Sequence, residues 1–280
     1  GIEFASFYNT LGADTTVIEV VDRILPAEDA EIAAFALKQF SKQGMKILTN
    51  ASVKKVERKK NSAHVEIVSE GKTITEQFDT IISAVGIVGN IEGLGLENLS
   101  IKTDKSHIKT DNNCNVGIDG IFAIGDVAGT PWLAHKASHE GVMVAEIIAG
   151  KHTHPVDPSS IAGCTYCHPQ IASVGLTEEE ANKKGLKVKI GRFPFIGNGK
   201  AIALGEQEGL IKTIFEAKTG ELLGAHMVGA EVTELIQGYV LGQKLETTEE
   251  DLISTVFPHP TLSEMMHESV LDAFGRAIHI

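Results

Sequence analysis

The sequence predicts an α/β protein that ends in an α+β domain. Three observations lead there. Helical and strand-like stretches alternate through the first 50 residues. Several strand-like stretches joined by polar turns follow, up to Gly86. From about residue 160 the texture changes to strands, a hairpin and amphipathic helices. With 280 residues the chain can form two compact domains or three small ones.

The elements can be read in order. Phe4, Tyr8 and Leu11, with Phe7 beside them, recur at helical spacing, and Gly12 supplies a stop. No N-cap residue precedes this helix. "TTVIEV" is rich in β-branched residues and reads as a buried strand. "PAEDAEIAAFALKQFSKQG" has acidic residues early, Lys late and Gly44 at its end, the pattern of an amphipathic helix. "MKILTNASVKKVERK", "AHVEIVS" and "KTITEQFDTIISAVG" are strands. Helix–strand–helix–strand with a three-stranded excursion suggests a nucleotide-binding domain over residues 1–86.

Residues 87–157 form a second piece. "GIFAIGDVAG" reads as a short apolar strand ending in Gly-Asp, "AHKASHEGVMVAEIIAG" as a helix and "KHTHPVDPSS" as a linker. Residues 158–280 form the third. "IASVGLTEEEANKKG" is a strand and then a helix opened by a capping box from Thr177 to Glu180. "LIKTIFEAKTGELLGAHMVG" is a hairpin turning at Thr219-Gly220, and "VTELIQGYVLGQKL" and "LSEMMHESVLDAFG" are helices.

Composition excludes several classes. Lys and Arg number 25 against 37 Asp and Glu, a net charge of −12, which argues against a phosphate-backbone binder. No apolar run reaches the ~18 residues that span a bilayer. Three cysteines do not make a disulfide framework, so a reducing compartment is expected.

Four motifs carry chemistry, each with a plainer reading. A glycine at Gly1 with Glu19 closing the next strand fits the end of a dinucleotide fingerprint, but coincidence gives the same spacing. Asp126 at a strand end suits a ribityl hydroxyl, or simply caps a turn. Cys164, Cys167 and His168 have C-x-x-C-H spacing, shared by c-type haem attachment and half a zinc site; two small buried residues is the plainer account. No metal site is expected. Pro260 holds His259 extended, and the His259-Pro260 bond is a candidate for the cis form. Thr261 to Glu264 also spells a capping box. The two readings send the Glu264 carboxylate to different places: the His259 ring, or the Thr261 backbone N–H.

Four stretches in order, "GIEFASFYNTLGADTTVIE", "FAIGDVAGTPWLAHKASHEG", "HPQIASVGLTEEEA" and "HPTLSE", resemble the flavin-dependent pyridine nucleotide-disulfide oxidoreductases, most closely their dihydrolipoamide-oxidising branch. The resemblance covers essentially the whole chain. It implies a Rossmann-like NAD domain at 1–86, a central, FAD-contacting segment at 87–157 and a dimerisation domain at 158–280. It also implies site residues. Gly1 matches the last phosphate-loop glycine, Glu3 a glutamate near the nicotinamide and flavin, Glu19 the adenosine-ribose ligand that favours NAD over NADP, Val53 a neighbour of the adenine, and Gly86 a further NAD contact. Asp126 matches the FAD ribityl ligand, and Trp132, Leu133, Ala134 and His135 a stretch whose backbone meets the flavin. His259 and Glu264 match the catalytic base and its orienting carboxylate. Two departures stand out: "GIVGN" lacks an Arg common after Gly86, and "FPHP" keeps one histidine where the family often has two.

The implied reaction passes electrons from dihydrolipoamide through an active-site disulfide and FAD to NAD⁺. His259 would take the thiol proton and serve the disulfide of a second subunit, so a homodimer through 158–280 is expected. Lipoyl domains of 2-oxo acid dehydrogenase complexes are the expected partners, without nucleic acid or membrane. The bacterial cytoplasm is the expected location, with the mitochondrial matrix as alternative. The redox disulfide and most of the FAD site match nothing in these residues. The chain is therefore expected to be a truncated form, inactive alone, with an open sheet edge beside Gly1. A sister reductase of the glutathione type and a non-catalytic dimerisation module are the alternatives.

Overall fold

The computed structural model describes all 280 residues. The predicted alternation opens the chain as α1 (Ile2–Thr10), β1 (Thr16–Ile18), α2 (Ala30–Lys42) and β2 (Lys46–Leu48). β1 lies parallel to β2, with Val17 opposite Ile47. α2 starts where the Asp29 side chain accepts the Glu31 N–H. Its Ile32, Ala36 and Phe40 recur every four residues and are fully buried, so one stripe faces the core. α1 behaves differently. It buries Ile2, Ala5 and Ser6, while Phe4, Phe7, Tyr8 and Leu11 are exposed. The large apolar residues that mark it as a helix lie off its buried side.

β3 (Ala51–Arg58), β4 (Ala63–Ser69) and β5 (Lys72–Phe78) form the expected antiparallel excursion around Ala51, Val65 and Ile67. The strand expected to run on to Gly86 stops at Phe78. Thr80 to Val85 has strand-like composition, but no strand of this chain pairs with it, and Ile81, Ile82 and Val85 are exposed. Backbone without a ladder partner is not a strand, whatever its propensity.

The next segment holds β6 (Thr103–Asp104), β7 (His107–Ile108) and α3 (Ala134–Ile148). "GIFAIGDVAG" is less regular than expected. A single bridge joins Asn115 to Phe122, and Gly125–Ala128 is one turn of 3₁₀ helix.

The remaining chain supplies β8 (Gly163–Thr165), β9 (Gln170–Gly175), α4 (Glu178–Lys183), β10 (Val188–Pro194), α5 (Gly199–Leu204), β11 (Leu210–Glu216), β12 (Leu222–Gly229), α6 (Val232–Lys244), α7 (Glu249–Ser254) and α8 (Glu264–Ala273). The strands form an antiparallel sheet in the order β10-β11-β12-β9-β8. Ile211, Phe215, Met227, Ile236, Tyr239 and Met265 are among the buried residues that join this sheet to α6 and α8. The capping box at Thr177 is formed with both of its bonds.

Two compact units result, residues 1–84 with 162–280, and residues 85–161. The first and last segments therefore share one unit. Ile32, Ala36 and Phe40 of α2 pack in one cluster with Ile171 and Val228 of the C-terminal sheet. A buried ionic network reinforces that join. Lys212 Nζ lies 2.9 Å from Asp29 Oδ1, 3.1 Å from Glu31 Oε2 and 2.7 Å from Glu178 Oε2. Arg192 Nε donates to both oxygens of Glu31, at 2.8 and 2.9 Å. Burial raises the Asp29 carboxyl, but the Lys212 ammonium more than offsets this and holds it below the usual range. No helix is long and apolar enough to cross a membrane.

Candidate active site and nucleotide-contacting residues

The His259-Pro260 bond is cis. The His259 side chain is 80% exposed, and its Nδ1 lies 2.9 Å from Glu264 Oε1. The other carboxylate oxygen, Oε2, accepts the Thr261 N–H at 2.9 Å. Both destinations are thus occupied at once, one by each oxygen. The capping box itself is incomplete. α8 begins at Glu264, and the Thr261 hydroxyl donates to the Pro258 carbonyl at 2.7 Å instead of capping the helix. Burial pushes the Glu264 carboxyl up, while the Thr261 N–H and then the His259 ring outweigh it. The group sits below the usual carboxylate range and stays charged near neutral pH.

This pair lies on a groove of about 690 Å³ lined by Phe193, Asn198, Val256, His267, Glu268 and His279, among others. A second pair faces the same groove and went unnoticed in the sequence. His279 Nδ1 is 2.6 Å from Glu268 Oε1, and Glu268 Oε2 accepts the Ile278 N–H at 3.1 Å. Glu268 is buried, which raises its carboxyl, yet His279 and two backbone N–H groups bring it below the usual range. The available signal was an acidic residue on the apolar side of a helix.

The residues matched to NAD fall in two places. Glu19 follows β1, and its carbonyl accepts the Ala51 N–H at 2.9 Å, so it stands close to the stretch that carries Val53. Its carboxylate accepts the Val21 N–H at 3.1 Å, and Val53 is exposed. Gly1 is the N-cap position of α1 and makes no side-chain cap bond, which leaves the first-turn N–H groups suited to an anionic group. The Glu3 carboxylate accepts the Tyr166 N–H at 2.8 Å, a commitment that no local spacing signals. Gly86, with φ of 108°, belongs to the other unit.

The flavin-matched residues lie together in residues 85–161. Asp126 is exposed on the 3₁₀ turn, and Pro131, in a cis bond with Thr130, leads through Trp132 to Leu133, the N-cap of α3. Leu133 makes no side-chain cap bond, and Ala134 and His135 form the first turn. Trp132 Nε1 donates to His107 Nε2 at 3.2 Å, which ties this loop to β7. An exposed carboxylate beside a helix N-terminus suits a group carrying both hydroxyls and an electron-rich ring.

The cysteines are poor nucleophiles. Burial pushes the Cys167 thiol up to about 12 and raises Cys164 as well. Cys167 Sγ donates to the Pro169 carbonyl at 3.1 Å. No group of three or more His, Cys, Asp or Glu is arranged to hold a metal ion.

The sequence model of the pyridine nucleotide-disulphide oxidoreductases matches residues 1–141, and that of their dimerisation domain matches residues 161–270. The chain belongs to the pyridine nucleotide-disulphide oxidoreductase family. A dihydrolipoyl dehydrogenase of Rhizobium etli is 59% identical over the whole chain, and one of Zymomonas mobilis is 54% identical. The chain spans 58% and 60% of the length of these two relatives. Among solved structures, LpdA of Mycobacterium tuberculosis superposes with a TM-score of 0.89 at 26% identity, over 96% of this chain and 58% of that one. The HOCl-induced flavoprotein disulfide reductase RclA of Escherichia coli gives 0.87 at 25% identity, over 96% of this chain and 61% of that one. The family's dimerisation domain thus coincides with the segment that carries His259 and Glu264.

Proposed function

We propose that this chain is the NAD-binding, central and dimerisation portion of a dihydrolipoyl dehydrogenase, with segments 1–86, 87–157 and 158–280 in those roles. The observation that carries the reading is the 2.9 Å contact from Glu264 to the exposed ring of His259. In the whole protein, FAD and NAD⁺ supply the electron acceptors when bound. Asp126 and the Trp132–His135 stretch would hold the first, and Gly1, Glu3, Glu19 and Val53 the second, while Gly86 keeps only its match to a further NAD contact. The Glu19 carboxylate repels a 2′-phosphate, so NAD is preferred to NADP.

His259 is the general base. With Nδ1–H donated to Glu264, Nε2 carries the lone pair and accepts the thiol proton of dihydrolipoamide. Glu264 fixes the ring plane and stabilises the positive charge that the proton brings. The Thr261 N–H holds the second carboxylate oxygen, so the carboxylate cannot rotate away without losing a bond. Because the base lies on the dimerisation segment, it serves the disulfide of a second copy in a homodimer. Lipoyl domains of 2-oxo acid dehydrogenase complexes bring the substrate, in a bacterial cytoplasm. Steady-state assays of the whole protein test this: turnover with dihydrolipoamide and NAD⁺ is expected. Turnover only with glutathione and NADPH would instead establish the sister reductase.

A further inference from the structure

The Asp126 turn is held from below by a buried pair of opposite charges. Lys136 and Glu140 sit one turn apart on α3, with only 8% and 10% of their side chains exposed and 3.0 Å between Nζ and Oε1. Each has a second bond, and the two bonds grip opposite ends of the same turn. Glu140 Oε2 accepts the Gly125 N–H at 2.8 Å, and Lys136 Nζ donates to the Gly129 carbonyl at 3.3 Å. Between these anchors runs Gly125–Ala128, with Asp126 exposed to solvent. The Gly125 backbone has φ of 71° and is buried, so its N–H has no access to water and depends on the carboxylate.

An i,i+4 pair of this kind is ordinarily a solvated surface feature of small effect. Burying both charges is costly unless each is fully bonded, and here the remaining bonds all go to one short turn. Nothing about helix stability requires that arrangement. We propose that Lys136 and Glu140 are positioning residues that fix the Asp126 turn for the flavin. The proposal rests on the reading of Asp126 as a flavin ligand given above. The pair acts through Gly125 and Gly129, as the outer partners of a ligand orient the ligand itself. The nearby Cys114 thiol reports the same environment: burial, and then the Glu140 carboxylate, push it up to about 11.

The test uses the whole FAD-dependent enzyme. Removing one charge alone would strand the other and could unfold the segment, so the informative variant is the double Lys136→Met/Glu140→Leu, which leaves no buried charge. Two readouts apply: hydrogen exchange at the Gly125 amide without cofactor, and the FAD dissociation constant by flavin fluorescence. The expected result is a folded protein with faster Gly125 exchange and FAD binding weakened about tenfold. Unchanged exchange and unchanged affinity in a folded double variant would overturn the proposal. Asp126→Asn separates the two layers. If it leaves FAD affinity intact while the double variant still quickens Gly125 exchange, the flavin reading falls and the clamp stands.

Discussion

Glu264 divides its carboxylate between two partners, the His259 ring and the Thr261 N–H. Glu264→Gln keeps an acceptor for the Thr261 N–H but loses the charge beside the ring. Turnover of the whole enzyme should fall about 10- to 100-fold, with NAD⁺ affinity unchanged. An equal loss of NAD⁺ affinity would place Glu264 in the scaffold instead. The His259–Glu264 contact was legible only through the resemblance that "HPTLSE" carries, since spacing alone also offers a capping box. The Glu268–His279 and Lys136–Glu140 pairs were not. Their residue types are visible, but burial is set by packing that no local spacing encodes.

At the scale of elements, α8 is placed by the strand beneath it. Gly191 of β10 lies so close that an added Cβ would overlap the Ser269 carbonyl oxygen of α8. Gly191→Ala should push the helix off the sheet and lower stability by about 1–3 kcal/mol in a denaturant melt. It should also disturb the bond from Glu264, at the helix start, to His259. A variant as stable as the parent would show that α8 is not seated this closely. The sequence made most elements readable: α2 by its early acidic residues, late Lys and closing Gly44, α4 by its capping box, the β11–β12 hairpin by Thr219-Gly220. It misled where a tertiary partner decides. Thr80 to Val85 has the composition of a strand and no strand beside it. The exposed Phe4, Phe7 and Tyr8 marked α1 as a helix without marking the side it buries.

At the scale of the molecule, the Lys212 network binds the first segment of the chain to the last. Lys212→Met would strand the buried Asp29 carboxylate beside Glu31 and Glu178. A loss of about 3–5 kcal/mol in thermal or denaturant unfolding is expected; a change near zero would mean that the join is carried by α2 packing alone. His226, beside this network, is fully buried. Its Nε2–H donates to the Leu176 carbonyl at 2.9 Å, while Nδ1 has no partner. Desolvation holds it below the 6.5 of a free imidazole. A group depressed in the folded state favours folding fully above its unfolded value and loses that contribution as pH falls. Stability should therefore decline below about pH 6.5, and His226→Gln should flatten the decline. An unchanged pH profile in that variant would remove His226 as its source.

In the proposed function, His259 would take the thiol proton of dihydrolipoamide. The most direct measurement is kcat of the whole enzyme carrying His259→Gln, assayed with dihydrolipoamide and NAD⁺, alongside its melting temperature. Since the ring is exposed and outside the core, unchanged melting is expected, with a loss of about 10²- to 10⁴-fold in kcat. A variant that folds equally well and turns over at the parent rate would contradict it.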